Sequence, residues 1–316
     1  MRVLVTGGGG FIGSHLVQAL LEDGHEVRVL DNFATGRREN LLDLDSSFDL
    51  IEGDIQSYER VHNAALGCEV VLHLAAMPSV PRSIQDPLTS NASNVIGTLN
   101  VLLAARDNSV RRVIFASSSS VYGASEELPK RESQIPLPIS PYAVAKLAGE
   151  GYCRSFHAVY GLETVALRYF NVFGPRQDPL SQYAAVIPNF ITAVLEGRQP
   201  VIFGDGTQTR DFTYISNVID ANRLAMTAPD VAGQSLNVAC GGCISLNEVV
   251  TTIAELTGHD VKPRYDPPRV GDVPCSMADI KRARDVLGFE PMISFRDGLA
   301  RTIEYFERAA LFARTA

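Results

Sequence analysis

Tyr142 and Lys146 stand four residues apart in Pro141-Tyr-Ala-Val-Ala-Lys146, a segment that reads as a helix start. Residues at that interval share one helical face. An ammonium held within about 4–6 Å of a phenol lowers a pKa of about 10 by roughly 1–3 units. Such a tyrosine takes and returns a hydroxyl proton near neutrality. The pattern alone equally describes an inward-packed tyrosine beside a solvated lysine, so the elements around it decide.

Those elements begin at the amino end. Arg2-Val-Leu-Val-Thr6 is a short apolar run, Gly7-Gly-Gly-Gly10-Phe-Ile-Gly13 follows it, and Ser14 to Leu21 carries apolar residues at helical spacing. Strand, glycine turn and helix in that order form a dinucleotide cradle. The glycines allow a tight turn and close approach to a pyrophosphate, and the helix start meets its negative charge. A second strand, Glu26 to Leu30, ends in Asp31, where an acid bonds the adenosine ribose hydroxyls and repels the extra phosphate of NADP. NAD is therefore favoured, with Arg37 and Arg38 close enough in sequence to keep NADP open.

Further strands are expected at Phe48–Glu52, Val70–Ala76, Arg112–Ala116, Glu163–Arg168 and Ser235–Ala239, with helices over Asn91–Arg106, Tyr142–Tyr160, Asn217–Met226, Leu246–Leu256 and Phe295–Phe312. This alternation predicts an α/β fold, a doubly wound parallel sheet (Rossmann) with a smaller, discontinuous substrate lobe. The expected division is 1–170 with about 212–240 for the nucleotide domain, and 171–211 with 241–316 for the lobe. Ser117-Ser-Ser-Ser120 follows the fifth strand, at the carboxyl end where such sheets bind ligands. His73, inside an apolar strand, reads as a satisfied core residue, and Asp54 as a helix cap or an adenine neighbour.

Composition narrows the function classes. A net charge of −8 with no basic stripe gives nucleic acid little to bind. No apolar run approaches the length of a membrane span, and the first residues already read as a buried strand, so the expected location is cytoplasmic. The five cysteines are odd in number and scattered, which suits reduced thiols. Cys240-Gly-Gly-Cys243 has the spacing of half a metal or redox site, but no second pair completes it, so no metal is expected.

Thr6-Gly-Gly-Gly-Gly-Phe-Ile-Gly13, Ser117-Ser-Ser-Ser-Val-Tyr-Gly123, Tyr142-Ala-Val-Ala-Lys146 and Arg168-Tyr-Phe-Asn-Val-Phe-Gly-Pro175, in that order, resemble the extended short-chain dehydrogenase/reductase family. The likeness covers almost the whole chain and is nearest to the UDP-galactose/UDP-N-acetylglucosamine 4-epimerase type. It implies Tyr142 as acid/base, Lys146 on the nicotinamide ribose and Ser118 on the sugar 4-hydroxyl, with NAD held through turnover. It implies cofactor contacts from Gly7, Gly10, Phe11, Ile12, Gly13, Asp31, Asn32, Asp54, Ile55, Leu74, Ala75, Ala76, Asn94, Tyr142 and Lys146. Substrate contacts would come from Ser118, Tyr142, Asn171, Arg210, Arg269, Asp272 and Ser276. Asn171 equally reads as a turn residue.

Related 4,6-dehydratases carry an Asp-Glu pair where this chain has Ser119 and Ser120, and decarboxylases resembling it usually keep a glutamate at Ser120, which leaves epimerisation. Ser276 stands where a tyrosine restricts related enzymes to glucose and galactose, so the expected substrates include UDP-N-acetylglucosamine and UDP-N-acetylgalactosamine. The helices 91–106 and 142–160 resemble the family's four-helix dimer interface, implying a homodimer. The alternatives are an enzyme of another nucleotide sugar, a dTDP-sugar or UDP-uronic acid, and a non-catalytic NAD sensor on the same fold.

Overall fold

The structure, a computed structural model, describes residues 1–42, 44, 48–178, 185–268 and 274–315. From the amino end the chain forms β1 (Arg2–Thr6), α1 (Phe11–Glu22), β2 (Glu26–Asp31), α2 (Glu39–Leu42), β3 (Asp49–Glu52), α3 (Tyr58–Ala65) and β4 (Val70–His73). After α4 (Val80–Gln85) and α5 (Pro87–Asn91), a π-helical stretch, Ala92–Ile96, runs into α6 (Gly97–Asp107). Then come β5 (Arg112–Ser118), α7 (Pro141–Tyr160), β6 (Glu163–Tyr169) and β7 (Val172–Phe173).

The sequel is α8 (Val186–Leu195), β8 (Val201–Phe203), β9 (Thr209–Arg210), β10 (Thr213–Tyr214), α9 (Ile215–Thr227) and β11 (Gln234–Val238). The chain closes with β12 (Ile244–Ser245), α10 (Leu246–Thr257), β13 (Arg264–Asp266), β14 (Cys275–Ser276), α11 (Lys281–Leu287) and α12 (Phe295–Thr315).

Seven strands pair in parallel in the order β11-β6-β5-β4-β1-β2-β3. This is the expected doubly wound sheet, and its order reverses between β1 and β4. Strand side chains alternate between faces. Val3, Val5, Leu72, Ile114 and Val165 accordingly pack with α1 and α9 in one cluster, while Leu4, Val71, Val113, Phe115 and Ala166 pack with α3, α6 and α7 in another. Burial on both faces explains why these strands read as continuous apolar runs.

The first cluster continues without a break through Phe173, Phe190 and Phe212 to Ile253 and Leu299, so α8, α10 and α12 share the sheet's core. Small sheets β12-β9-β14, β13-β8 and β10-β7 lie among these later elements.

Local chemistry sets the element ends. Ser140 caps α7 by accepting from the Ala143 amide at 3.2 Å, Pro141 occupies its first turn, and Gly161 ends it at φ +71°. Two expectations differ from the structure. The strand expected through Ala76 ends at His73: the Leu74 amide makes the last ladder bond, to the Thr6 carbonyl at 3.1 Å, and the Ala75 amide bonds the Thr6 hydroxyl at 3.3 Å instead of a neighbouring strand. The single helix expected over 91–106 is broken by the π-helical turn around Asn94. His73 is a core residue as expected, buried and bonded to Thr6 at 2.8 Å and Thr98 at 3.0 Å. Burial pushes its imidazole down to about 3, so it is neutral.

Candidate active site

The glycine turn closes over the reversal point of the sheet. Gly7 adopts φ +75°, and a Cβ there would stand 2.6 Å from the Ala75 amide nitrogen. A Cβ on Gly13 would come within 2.0 Å of the Gly7 carbonyl oxygen, so α1 reaches the strand end only because this position is bare. Gly10 precedes the helix without a side-chain cap, so the first amides of α1, at Phe11 and Ile12, are positioned to meet an anion. The cradle fits a dinucleotide diphosphate.

Asp31 closes β2, where its carboxylate accepts from the Gly9 amide at 2.8 Å and the Phe33 amide at 2.8 Å. Each oxygen keeps a lone pair for a ribose hydroxyl. Asn32 donates to Asp54 at 2.8 Å, which ties the two residues expected around the adenosine into one unit. Ser57, not Asp54, caps α3, so the capping role weighed for Asp54 is not the one it has. Buried Ile55 packs beside Gly97. Arg37 pairs with Asp178 at 2.7 Å and Arg38 pairs with Glu52, so both guanidinium groups are engaged by carboxylates. This arrangement favours NAD over NADP.

Leu74, Ala75 and Ala76 follow β4 beside the glycine turn. Asn94 holds the continuation of that loop: its buried side chain accepts from the Met77 amide at 2.6 Å and donates to the Met77 carbonyl at 3.0 Å. A π-turn places it there, a feature common at functional sites.

At the carboxyl end of β5, three residues converge. Lys146 is buried and donates to the Ala116 carbonyl at 2.7 Å. Its ammonium lies 5.8 Å from the centre of the Tyr142 ring. Tyr142 shares a hydrogen bond with Ser118, whose oxygen also accepts from the Ser120 amide at 3.2 Å and its hydroxyl at 2.9 Å. The backbone of Tyr142 is anchored by donation to Ser83 at 3.1 Å, a contact the sequence did not reveal.

The electrostatics correct one expectation. Burial drives the Tyr142 phenol up to about 12, with the Ser118 bond working against it, and Lys146 does not pull it toward neutrality. The reason is that the lysine charge is itself desolvated, pushed down to about 8, and bonded to a carbonyl. A positive charge arriving beside the phenol lowers it again.

A buried ion pair braces this corner. Glu150, one turn beyond Lys146, accepts from Arg168 at 2.9 and 2.7 Å and from Ser117. Arg168 also donates to the Tyr122 hydroxyl at 2.9 Å, and Tyr122 in turn to Asn237 at 2.7 Å. The network joins β5, α7, β6 and β11. Spacing of Glu150 at four residues from Lys146 was the available signal for it, and was missed.

A second group gathers at β9. Arg210 lies in register with Ser276 of β14, Ser276 is 9% exposed, and Arg210 donates to the Thr209 carbonyl at 2.7 Å. The neighbouring Asp211 accepts from the amides of Cys240 at 2.9 Å, Gly241 at 3.0 Å and Ala278 at 3.1 Å. These bonds fasten β9 just beyond the carboxyl end of β11, on the same end of the sheet as Tyr142. Burial raises the Asp211 carboxyl to about 6 against those bonds. Asn171 takes φ +32° and donates to the Asp211 carbonyl at 3.3 Å, the turn role weighed for it. Arg269 and Asp272 lie outside the described residues. Among the described residues no three metal-ligating side chains cluster, and no helix is long and apolar enough to cross a membrane.

Comparison with known proteins agrees with this geometry. The model of the NAD dependent epimerase/dehydratase family matches residues 3–239. A UDP-glucose 4-epimerase of Mycolicibacterium smegmatis is 43% identical over 97% of this chain and 98% of its own. The solved UDP-N-acetylglucosamine 4-epimerase of Methanobrevibacter ruminantium, in complex with UDP-N-acetylmuramic acid, is 42% identical, with a TM-score of 0.93 and 98% of each chain covered. The UDP-glucuronic acid 4-epimerase of Bacillus cereus, solved with UDP-glucuronic acid and NAD, is 34% identical, with a TM-score of 0.91, covering 98% of this chain and 100% of that one. With a matching cradle, a tyrosine–lysine–serine corner and relatives alike over nearly their whole length, the chain belongs to the NAD dependent epimerase/dehydratase family, as an NAD-dependent enzyme of the nucleotide-sugar 4-epimerase type.

Proposed function

We propose that this enzyme interconverts UDP-N-acetylglucosamine and UDP-N-acetylgalactosamine by inversion at sugar carbon 4, and accepts UDP-glucose and UDP-galactose at the same site. The observation that carries the substrate choice is Ser276, a small buried residue directly beside Arg210. A serine there leaves room for a 2-acetamido group that a tyrosine would fill. Arg210 suits the diphosphate through paired, charge-assisted hydrogen bonds, with Asn171, Arg269 and Asp272 completing the nucleotide contacts.

NAD, when bound, supplies the hydride acceptor and donor at carbon 4. The amides of Phe11 and Ile12 would hold its diphosphate, with Gly7, Gly10 and Gly13 letting the backbone approach it, Asp31 and Asn32 would hold its adenosine ribose, and Asp54 and Ile55 would flank the adenine. Leu74, Ala75 and Ala76 line its path, and Lys146 holds the second ribose, with Asn94 keeping the loop above it in place. Tyr142 takes the proton of the 4-hydroxyl, giving a transient 4-keto sugar, and returns it to the opposite face after the sugar has turned about its diphosphate. Ser118 orients that hydroxyl and stabilises the phenolate. A phenol near 12 is poorly ionised at neutral pH, so the positive charge of the oxidised nicotinamide, once bound, is what would ready it.

We also infer a homodimer built on α6 and α7, which pack together and leave Val144, Val159 and Tyr160 exposed on α7. Purified enzyme is incubated without added cofactor with UDP-N-acetylglucosamine, UDP-glucose and UDP-glucuronate in turn, and products are identified by NMR. Conversion of the acetylated sugar supports the reading. Turnover of UDP-glucuronate alone refutes it in favour of the uronate chemistry of the B. cereus relative. Tyr142→Phe should abolish turnover with cofactor still bound, and Ser276→Tyr should impair only the acetylated pair.

A further inference from the structure

The Cys-x-x-Cys spacing of Cys240 and Cys243 points to a pair that the fold does not make. Cys240 instead faces Asn217, whose amide nitrogen lies 3.8 Å from its sulfur. The sulfur that meets Cys243 belongs to Cys275, 32 residues on, at 3.5 Å. Cys243 is exposed and Cys275 half-buried, so small oxidants reach the pair. Cys243 immediately precedes β12 and Cys275 opens β14, and these strands flank β9 on its two sides. Arg210 lies between them, in register with Ile244 on one side and Ser276 on the other.

We propose that Cys243 and Cys275 form a reversible disulfide under peroxide, and that this bond weakens substrate binding by drawing β12 and β14 together across β9. The effect on the substrate rests on the assignment of Arg210 and Ser276 above; formation of the bond does not. The Cys243 thiolate attacks a peroxide oxygen, breaking the O–O bond and giving a sulfenic acid and hydroxide, which takes up the proton the thiol released and leaves as water. The Cys275 thiolate then attacks that sulfur and displaces hydroxide, which is protonated to water. Two thiols lose two electrons, one peroxide gains them, and two waters leave. A dithiol reductant reverses the step by exchange.

Closing from 3.5 Å to a bond length of about 2.05 Å moves the strands that carry Arg210 and Ser276. Misplacement of binding groups by about 1 Å costs on the order of 10²-fold in rate, so a tenfold or larger fall in kcat/KM, mainly through KM, is expected. Burial and the neighbouring thiol both raise the Cys243 pKa, which slows its oxidation near neutral pH and makes oxidation faster as pH rises.

The test treats the whole enzyme with equimolar hydrogen peroxide and maps peptides under non-reducing conditions. The expected result is loss of two of the five thiols, a peptide pair joining Cys243 to Cys275, a raised KM for the UDP-sugar, and recovery with dithiothreitol. Cys243→Ser and Cys275→Ser should keep the reduced enzyme's activity and lose the response. A Cys240–Cys243 link, sulfinic acid without any link, or no thiol loss overturns the pairing. A Cys243–Cys275 link with unchanged KM overturns the control of binding. Failure of the reduced enzyme to turn over UDP-sugars at all counts against the function above, while the peptide map still decides the bond.

Discussion

Replacing Glu150 with glutamine tests whether the buried ion pair holds the catalytic corner together. The Glu150 and Arg168 side chains are 0% and 3% exposed, with both carboxylate oxygens bonded to the guanidinium. Burial alone would lower the Arg168 pKa, but the bonds to Glu150 outweigh it and hold the group above its ordinary value. Glutamine is nearly the same size, so packing is retained, yet its amide turns a donor toward a donor and leaves a buried cation unpaired.

Breaking one partner of such a pair costs about 3–5 kcal/mol, a large part of a typical stability of about 5–15 kcal/mol. At about 2–4 °C per kcal/mol for large domains, the melting temperature should fall by roughly 6–20 °C. Differential scanning calorimetry measures it. The double variant Glu150→Gln/Arg168→Met, which removes the stranded charge as well, should recover much of the loss. Because Glu150 also accepts from Ser117, next to Ser118, kcat should drop well below the transition temperature while KM changes little. A melting temperature within about 2 °C of the parent, or a double variant as unstable as the summed single ones, would refute the reasoning.

Gly13→Ala places a methyl group 2.0 Å from the Gly7 carbonyl oxygen; the protein should purify with little or no NAD, read from its absorbance after denaturation, and normal NAD content would contradict the cradle. Asp211 has a folded pKa of about 6 against 3.8 ordinarily, so the folded state holds the proton more tightly and stability should fall as pH rises from about 4 to about 6. The shift of about two units sets a ceiling of roughly 3 kcal/mol; urea midpoints across that range should lose this slope in Asp211→Asn, and an unchanged slope would assign it elsewhere. Asn94→Ala removes both bonds to Met77 and should weaken NAD binding about tenfold by calorimetry on cofactor-stripped enzyme; unchanged affinity would make Asn94 a purely structural residue.

Some of this protein was legible before any coordinates. The seven strands, their parallel sheet, the glycine cradle and the helix carrying Tyr142 and Lys146 follow from short-range rules: apolar periodicity, bare glycines and a Ser-Pro helix start act within a few residues of one another. His73 as a core residue was likewise readable from its apolar neighbours. What tertiary structure decided depends on groups distant in sequence. The pairing of Glu150 with Arg168, the seating of Lys146 on the Ala116 carbonyl and the meeting of Cys243 with Cys275 rather than Cys240 are set by which strands lie side by side. The high phenol pKa of Tyr142 is of the same kind. Spacing put a lysine charge near it, but the balance between that charge and desolvation depends on how completely the surrounding elements bury them, a quantity with no local signature.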